Sequence, residues 1–576
     1  LVYTVYTESQ PSELITVEDI VEVDGRLKVN VPFAADLLAF MPDGLAQTNA
    51  VAPLTAELEE RGVAVLDPRL ARPELRAETY SEGEGYGYLK IVDDGDISAV
   101  GPRDVLVIDA APNELGLVAA LVSVRSQSLA SHLNLRLREK AIPSASSPGI
   151  LENGVVLGLS GRLVHVTARA DDVVIEPARL EDAEEFWRSR QPALGTPPVD
   201  LETTSLTPLA ALDATFVPSF GTKAANLGEL SQILPAENRV EGFAIPFRAY
   251  ADFMSENGLD AEVESLLADP RVASDAAYKR ERLEELRDEI RDAEHVAGFT
   301  AALTAAIFEA YAESGATTRL RFRSSTNAED LPGVSGAGLY DSKSGCLADD
   351  LDGDDVGPSA CLTDEDRDYL LEQLALREAE LAAHPDRAFL NDIIRDLEED
   401  LGEEKSAYRA VRRVWASLWN ERAFDDREYY GIDHRGTYMG IAVHPTFVGE
   451  RLESVIVTNL EPASERPLYR VVSQFGEVGV VGPSDPTAVT EILSFRRGES
   501  SEPEDVTLVQ PSSLVASGES LWSEDALAEL AGLLFDVQDH FAEIVYPDLE
   551  PLSLDIEVDV TRDGRTVLKQ ARPYTQ

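Results

Sequence analysis

Two periods run through the hydrophobic pattern of this chain, and the places where one gives way to the other mark its parts. Over residues 1–100, short β-rich runs such as LITVEDIVEV and YGYLKIVDDG sit beside a helical stretch around LTAELEERG. They predict a small N-terminal α/β segment. From Asp104 the pattern sharpens: DVLVIDA reads as an apolar strand, ELGLVAALVSV as a second after a short helical turn, and LNLRLRE as the first turns of a helix. ILENGVVLGLSG and LVHVTARADDVVIEP predict strands that close a second part, 101–178. Residues 179–208 carry charge, four prolines and no sustained period, which predicts a linker. Beyond it, 209–576 begins with an apolar-periodic helix in FGTKAANLGELSQI. Helices dominate from Gly258 to about Ser314 and from Asp364 to Phe424, and the strands GTYMGIAVHPTF and ESVIVTNL follow. Near the end, LSLDIEVDV and TRDGRTVLKQARP predict a hairpin through an Asp-Gly turn.

Length changes this picture little, since 576 residues suit two or three domains. Charge changes it more. The net charge of −55, from 105 acidic and 50 basic residues, repels nucleic-acid phosphate and anionic lipid, so neither is expected as a partner. The plainest reason for such a balance is a generally acidic surface suited to high salt. No run of eighteen apolar residues occurs, so no membrane span is expected. The chain starts at Leu1, which suggests a processed or trimmed start. Cys346 and Cys361 flank the acidic run ADDLDGDDVGPSA. As free thiols they fit a reducing cytoplasm, the reading preferred here; a disulfide would point to an exported protein. The acidic run has the composition of a calcium loop, but its glycine is misplaced for an EF-hand, and a solvated charged loop is expected.

Candidate chemistry gathers in four places. RLRFRSSTNAEDLPGVSGAGLYDS, from Arg319 to Ser342, joins a strand-like run to a loop with Gly333, Gly336 and Gly338. Such a loop brings backbone N–H groups close to phosphate, and Arg323 adds a planar, permanent cation; a ligand-free glycine hairpin is the alternative. Gly221 and Lys223 precede a helix, where an ammonium meets a phosphate or simply faces solvent. His132 stands where a helix begins; the dipole there disfavours imidazolium and favours an attached phosphoryl group, although a lone histidine at such a junction is usually structural. Asp555, Glu557 and Asp559 share one strand face, with Gln570 and Arg572 on the neighbouring strand. Hard oxygens beside an arginine suit Mg²⁺ and phosphate; the alternative is the polar outer face of an edge hairpin.

FRSSTNAEDLPG followed by GAGLYDS resembles the ATP-binding domain shared by pyruvate phosphate dikinase, phosphoenolpyruvate synthase and the glucan water dikinases. Gly221-x-Lys223-x-x-Asn226-Leu227, VWASLWNERAF, the Gly476-Glu477 pair, and Asp555-Ile-Glu557 with Gln570-Ala-Arg572-Pro573 match that family in order. Ser131-His132 with Asn134 and Arg136 looks closest to the glucan water dikinase carrier motif, and carrier-first order is similar to that group. The resemblance implies a fold of α/β and α+β type, with an N-terminal phosphohistidine swivelling domain over 101–178 followed by an ATP-grasp domain over 209–576. It implies ATP and Mg²⁺ as cofactors, nucleotide contacts from Lys223, Arg323, Glu477, Asp555 and Arg572, metal ligands Glu557 and Gln570, and His132, Arg323 and Arg572 as the catalytic set.

The implied reaction is that of a dikinase: His132 takes the β-phosphate of ATP, AMP and phosphate are released, and phosphohistidine donates to a glucan-like or other small acceptor. No barrel follows Arg572 to supply a pyruvate site, and no carbohydrate-binding module is recognisable. The alternatives are a phosphoenolpyruvate synthase-like activity whose pyruvate site comes from a partner, and a non-catalytic nucleotide-binding regulator. An ATP-grasp ligase would need no His132.

Overall fold

Four sheets hold the strands of the computed structural model. It describes residues 2–5, 16–31, 38–42, 51, 54–66, 77–92, 97, 100–109, 115, 117–125, 137–138, 140–169, 172–190, 196–329, 339–354, 356–384, 387, 390–461, 464, 466–476, 480, 489–498, 502–515, 519–549 and 551–574. The chain divides into two compact units, one reaching residue 193 and the other made of nearly all of 194–576. The division falls inside residues 179–208.

In the first unit, β1 (Val2–Tyr3), β2 (Ala39–Phe40) and β3 (Ala64–Val65) form a small parallel sheet. Of LITVEDIVEV, expected as β-rich, the described part instead opens helix α1 (Val17–Asn30). Thr16 and Asp19 explain the difference. The Thr16 hydroxyl accepts the Asp19 N–H at 3.2 Å and the Asp19 carboxylate accepts the Thr16 N–H at 2.9 Å, a reciprocal cap that starts a helix in a β-branched run. Val17, Ile20 and Asp24 then face inward at helical spacing. The expected helix in LTAELEERG is α2 (Thr55–Glu60).

A seven-stranded sheet follows: β4 (Glu78–Ser81), β5 (Gly83–Val92), β6 (Asp104–Ile108), β7 (Ala120–Ser123), β8 (Ser144–Ser146), β9 (Leu163–Arg169) and β10 (Asp172–Pro177), in the order β10-β9-β5-β6-β7-β8-β4. β5 to β8 are parallel, and β6 is buried at every position, as parallel strands with two covered faces require. Residue 100 lies between β5 and β6, which are hydrogen-bonded neighbours, so strands on both sides of that position share one sheet. LVHVTARADDVVIEP forms the β9–β10 hairpin. ILENGVVLGLSG, expected as a strand, makes two helical turns, Ile150–Glu152 and Gly154–Leu157. Asn153 decides it, because its side chain accepts the Val155 and Val156 N–H groups at 3.0 and 3.4 Å and offers the backbone a cap in place of a ladder. Helix α3 (Leu180–Arg190) follows, and Trp187 donates to the Tyr86 carbonyl at 2.8 Å. His132 lies outside the described residues.

The second unit holds two sheets. β11 (Thr207–Pro208), β12 (Phe243–Ile245), β13 (Leu320–Thr326), β14 (Ser342–Gly345) and β15 (Met439–Pro445) form the first, in the order β11-β12-β15-β13-β14. β16 (Leu452–Val457), β17 (Leu468–Phe475), β18 (Glu491–Arg497), β19 (Pro503–Gln510), β20 (Leu554–Val560) and β21 (Thr566–Pro573) form the second, in the order β19-β18-β17-β16-β20-β21. Each buries one face. Phe322, Ile441 and Val443 of the five-stranded sheet pack with Phe253, Leu303 and the fully buried Trp415, and Trp419 joins them. Ile456, Leu554 and Ile556 of the six-stranded sheet pack with helices α4 (Thr222–Ile233) and α8 (Glu524–His540) through Leu227, Leu534 and Phe535. Between those helices the expected helical stretches include α5 (Asp364–Ala383), α6 (Leu390–Gly402) and α7 (Ala407–Ala416). Alternation then sends Arg321 and Arg323 of β13, and Asp555 and Glu557 of β20, to the opposite faces from these cores.

Cys346 and Cys361 are joined in a disulfide, with Cα atoms 5.8 Å apart, which corrects the expectation of free thiols. Asp349 accepts the N–H of Ala360 and that of Lys405, each at 2.7 Å, folding the acidic run back so that its two ends meet. Among the described residues, no helix is long and apolar enough to cross a membrane.

Candidate functional site

The site starts where β13 meets α4. Gly221 precedes the helix at φ +85° and ψ 165°, and an added Cβ would stand 2.5 Å from the Ser325 carbonyl oxygen, so only glycine fits. Ser325 accepts the Ala224 N–H at 3.0 Å, capping the helix from the strand. Lys223, the second residue of the helix, pairs with Glu329 at 2.6 Å. Asn226 ties the same helix to β21 by donating to the Ala571 carbonyl at 2.8 Å and to the Tyr546 hydroxyl at 3.0 Å.

β20 and β21 form the expected hairpin, turning at Asp563-Gly564 with Gly564 at φ +90°. Its register sets Glu557 opposite Gln570 and Asp555 opposite Arg572. Arg572 donates to Asp555 from Nε at 3.1 Å and Nη2 at 2.9 Å. Arg323 reaches across from the other sheet. Its Nη2 donates to Glu557 Oε2 at 2.7 Å and Gln570 Oε1 at 2.9 Å, and its Nη1 to the Lys569 carbonyl at 2.8 Å. Two hard oxygens from adjacent strands thus converge on one point, a donor pair that suits a small divalent cation.

Electrostatics hold the central carboxylate charged. Burial alone raises the Glu557 pKa, but Arg323, Lys569, Lys223 and Arg572, in decreasing order, outweigh it and bring it down to about 2. Farther along the same face Glu453 stands opposite Asp559. Burial, helped by the Asp559 charge, pushes Glu453 up to about 7, and burial raises Asp559 despite its 2.5 Å pair with Lys569. A cavity of about 490 Å³ opens here, lined among others by Arg319, Arg321, Arg323, His444, Glu557 and Lys569.

Residues 217–576 match the family described as pyruvate phosphate dikinase, AMP/ATP-binding domain. The chain belongs to that family. The dikinase-family chain is also 28% identical over 298 residues to a rifampicin phosphotransferase of Streptomyces sviceus, covering 50% of this chain and 26% of the relative. It is 25% identical over 369 residues to a probable phosphoenolpyruvate synthase of Methanothermobacter thermautotrophicus, covering 62% and 44%. A probable phosphoenolpyruvate synthase of Archaeoglobus fulgidus is 38% identical over 147 residues, 25% of this chain and 18% of the relative. The chain therefore spans between about a fifth and under half of the curated relatives it matches.

Of the residues singled out by the family motifs, the fold brings Arg323, Glu557 and Gln570 into direct contact, sets Asp555 on Arg572 beside them, and lets Lys223 act on the same carboxylate. Glu477, the glycines at 333, 336 and 338, and His132 lie outside the described residues. Sequence reasoning passed over Lys569, which supplies both a carbonyl to Arg323 and a charge to Glu557; its position inside LKQARP was the available signal. It also passed over Glu329 as the partner of Lys223, although this residue opens the acidic pair of NAEDLPG. Glu453 carried no signal, because only strand pairing places it near Asp559.

Proposed function

We propose that this chain is an ATP-dependent phosphotransferase of the dikinase type, with His132 as its phosphoryl carrier. The observation that supports the reading is the convergence of Glu557 and Gln570 on Arg323, in the field of Lys223 and Arg572, inside a domain of the AMP/ATP-binding family. Lys223 and Arg323 would hold the nucleotide phosphates. Lys223 is paired with Glu329 and would trade that carboxylate for a phosphate oxygen. Arg572, steadied by Asp555, would meet the γ-phosphate, and Glu477 would face the nucleotide. Glu557 and Gln570 would hold Mg²⁺, which supplies charge neutralisation on the phosphate oxygens. Because Glu557 is ionised far below neutral pH, this carboxylate needs no proton loss to serve.

The chemistry asked of the protein is positioning and charge neutralisation. A neutral His132 nitrogen would attack the β-phosphorus, the bond to the α-phosphate's bridging oxygen would break, and AMP would leave with that oxygen. The γ-phosphate would then pass to water or phosphate, leaving phosphohistidine to donate to an acceptor hydroxyl or enolate. The swivelling-domain assignment of 101–178, the linker 179–208 and the ATP-grasp assignment of 209–576 belong to this proposal, as does an acceptor that is glucan-like or another small molecule.

Incubation with ATP labelled at the β-phosphate tests it. Label should remain on the wild-type chain in an acid-labile form and be absent from His132→Ala. Labelling only from the γ-position would indicate an ordinary kinase and overturn the carrier role.

A further inference from the structure

Arg319, Arg321 and Arg323 all line the cavity of the second unit, because side chains two apart share a strand face, about 7 Å from one to the next. The outer two have carboxylate partners. Arg319 Nη2 donates to Asp400 at 2.9 Å, and Arg323 Nη2 to Glu557 at 2.7 Å. The middle one has none among the described residues: Arg321 Nη1 makes a long hydrogen bond of 3.4 Å to the Ser344 hydroxyl. Arg319 Nε, next to it, is a buried N–H without an acceptor among the described residues. Burial, and then the charges of Arg323 and Arg319, lower the Arg321 pKa from its ordinary value, and the charges of Glu450 and Asp400 offset this only in part.

This arrangement is unexpected in a chain with 105 acidic and 50 basic side chains. Carboxylates outnumber cations two to one, yet among the described residues none pairs with the central guanidinium of the three-arginine row; Glu450 and Asp400, which line the same cavity, act on it only as more distant charges. A partly buried cation flanked by two others is costly when no anion contacts it directly. The planar fork of Arg321 presents paired N–H donors to the cavity side, and the hydroxyls of Ser342 and Ser344 border the same space.

We propose that this stretch of the cavity is a second oxyanion subsite, in which Arg321, with Ser344 beside it, receives a phosphate or carboxylate group distinct from the one met by Arg323. Two sources carry that chemistry: a separate small anion, such as the charged group of an acceptor or effector, or a phosphate of the nucleotide itself reaching along the arginine row. The subsite extends the reading of this cavity as a nucleotide cleft without depending on it, because its first test needs no nucleotide.

The full chain is titrated with inorganic phosphate by calorimetry at fixed ionic strength in chloride, then again when saturated with a non-hydrolysable ATP analogue and Mg²⁺. Phosphate should bind the nucleotide-free wild type, and both Arg321→Leu and the polar Arg321→Gln should weaken it by roughly tenfold or more, with unchanged circular dichroism. An exposed control, Arg271→Leu, should leave it unchanged. If phosphate still binds the nucleotide-saturated chain, the oxyanion is a separate ligand. If the analogue displaces phosphate and loses affinity itself in Arg321→Leu, the oxyanion belongs to the nucleotide. No phosphate binding by the wild type, or equal affinity in wild type and both Arg321 variants, overturns the subsite, and either result can occur while His132 labelling succeeds.

Discussion

Arg323 and Glu557 lie 234 residues apart and on different sheets, yet Arg323 Nη2 and Glu557 Oε2 stand 2.7 Å from each other. One guanidinium closes the gap between the sheets by holding a carboxylate, an amide oxygen and a main-chain carbonyl at once. Lysine keeps the charge but not the fork, so it reaches one of these partners at a time. Arg323→Lys is therefore expected to weaken binding of an ATP analogue by roughly tenfold or more while far-UV circular dichroism stays native. Affinity within twofold of wild type would remove Arg323 from the nucleotide site.

Two glycines separate backbone freedom from close approach. Gly221 has φ +85° and ψ 165° and touches Ser325, whereas Gly258 has φ +72° with open space where a Cβ would stand. Gly258→Ala should cost about 1–2 kcal/mol, the ordinary left-handed penalty. Gly221→Ala should cost more than about 3 kcal/mol, since its conformation is almost confined to glycine and a clash is added. Urea unfolding of both variants measures the order, and equal costs would contradict the contact with Ser325.

The Cys346–Cys361 disulfide closes a loop of sequence separation 15. Loop-closure entropy for that length corresponds to about 3 kcal/mol. Cys346→Ser with Cys361→Ser should lower unfolding free energy by about 2–4 kcal/mol, and reductant should do the same to the wild type alone. Mass spectrometry of the chain purified without reductant shows whether the bond forms in its native compartment, which separates a reducing cytoplasm from export.

Asp350 caps α7 through the N–H groups of Ala407 and Tyr408 at 2.8 and 3.3 Å and receives the Ser406 hydroxyl. Burial nevertheless raises its pKa from 3.8 to about 6, the hydrogen bonds only moderating the shift. The native state thus keeps a proton that the unfolded chain releases near pH 3.8, and stability from this group falls as pH rises from about 4 to about 6, then levels off. Asp350→Asn removes that slope, so the stability advantage of the wild type over the variant should shrink across this window in denaturant titrations. A difference that grew with pH would reverse the assigned shift.

Local pattern reached far into this fold. The alternation in LRFRSST and LDIEVDV set Arg323 and Glu557 on the polar faces of their strands, and Asp563-Gly564 fixed the turn that brings Gln570 opposite Glu557. Period alone misled where a side chain competes for the backbone: Thr16 and Asp19 turned a β-branched run into α1, and Asn153 turned an apolar run into helical turns.

Composition and spacing determined by themselves which residues carry charge and which strand faces are polar, because each of these depends on neighbours within a few residues. Tertiary structure alone decided that Cys346 meets Cys361, that Lys569 joins Arg323 at Glu557, and that Arg321 stands between two paired arginines with no carboxylate in contact among the described residues. Those relationships depend on which sheets face each other and on what lies across the gap, and electrostatic partners separated by more than two hundred residues leave no periodic trace in the sequence.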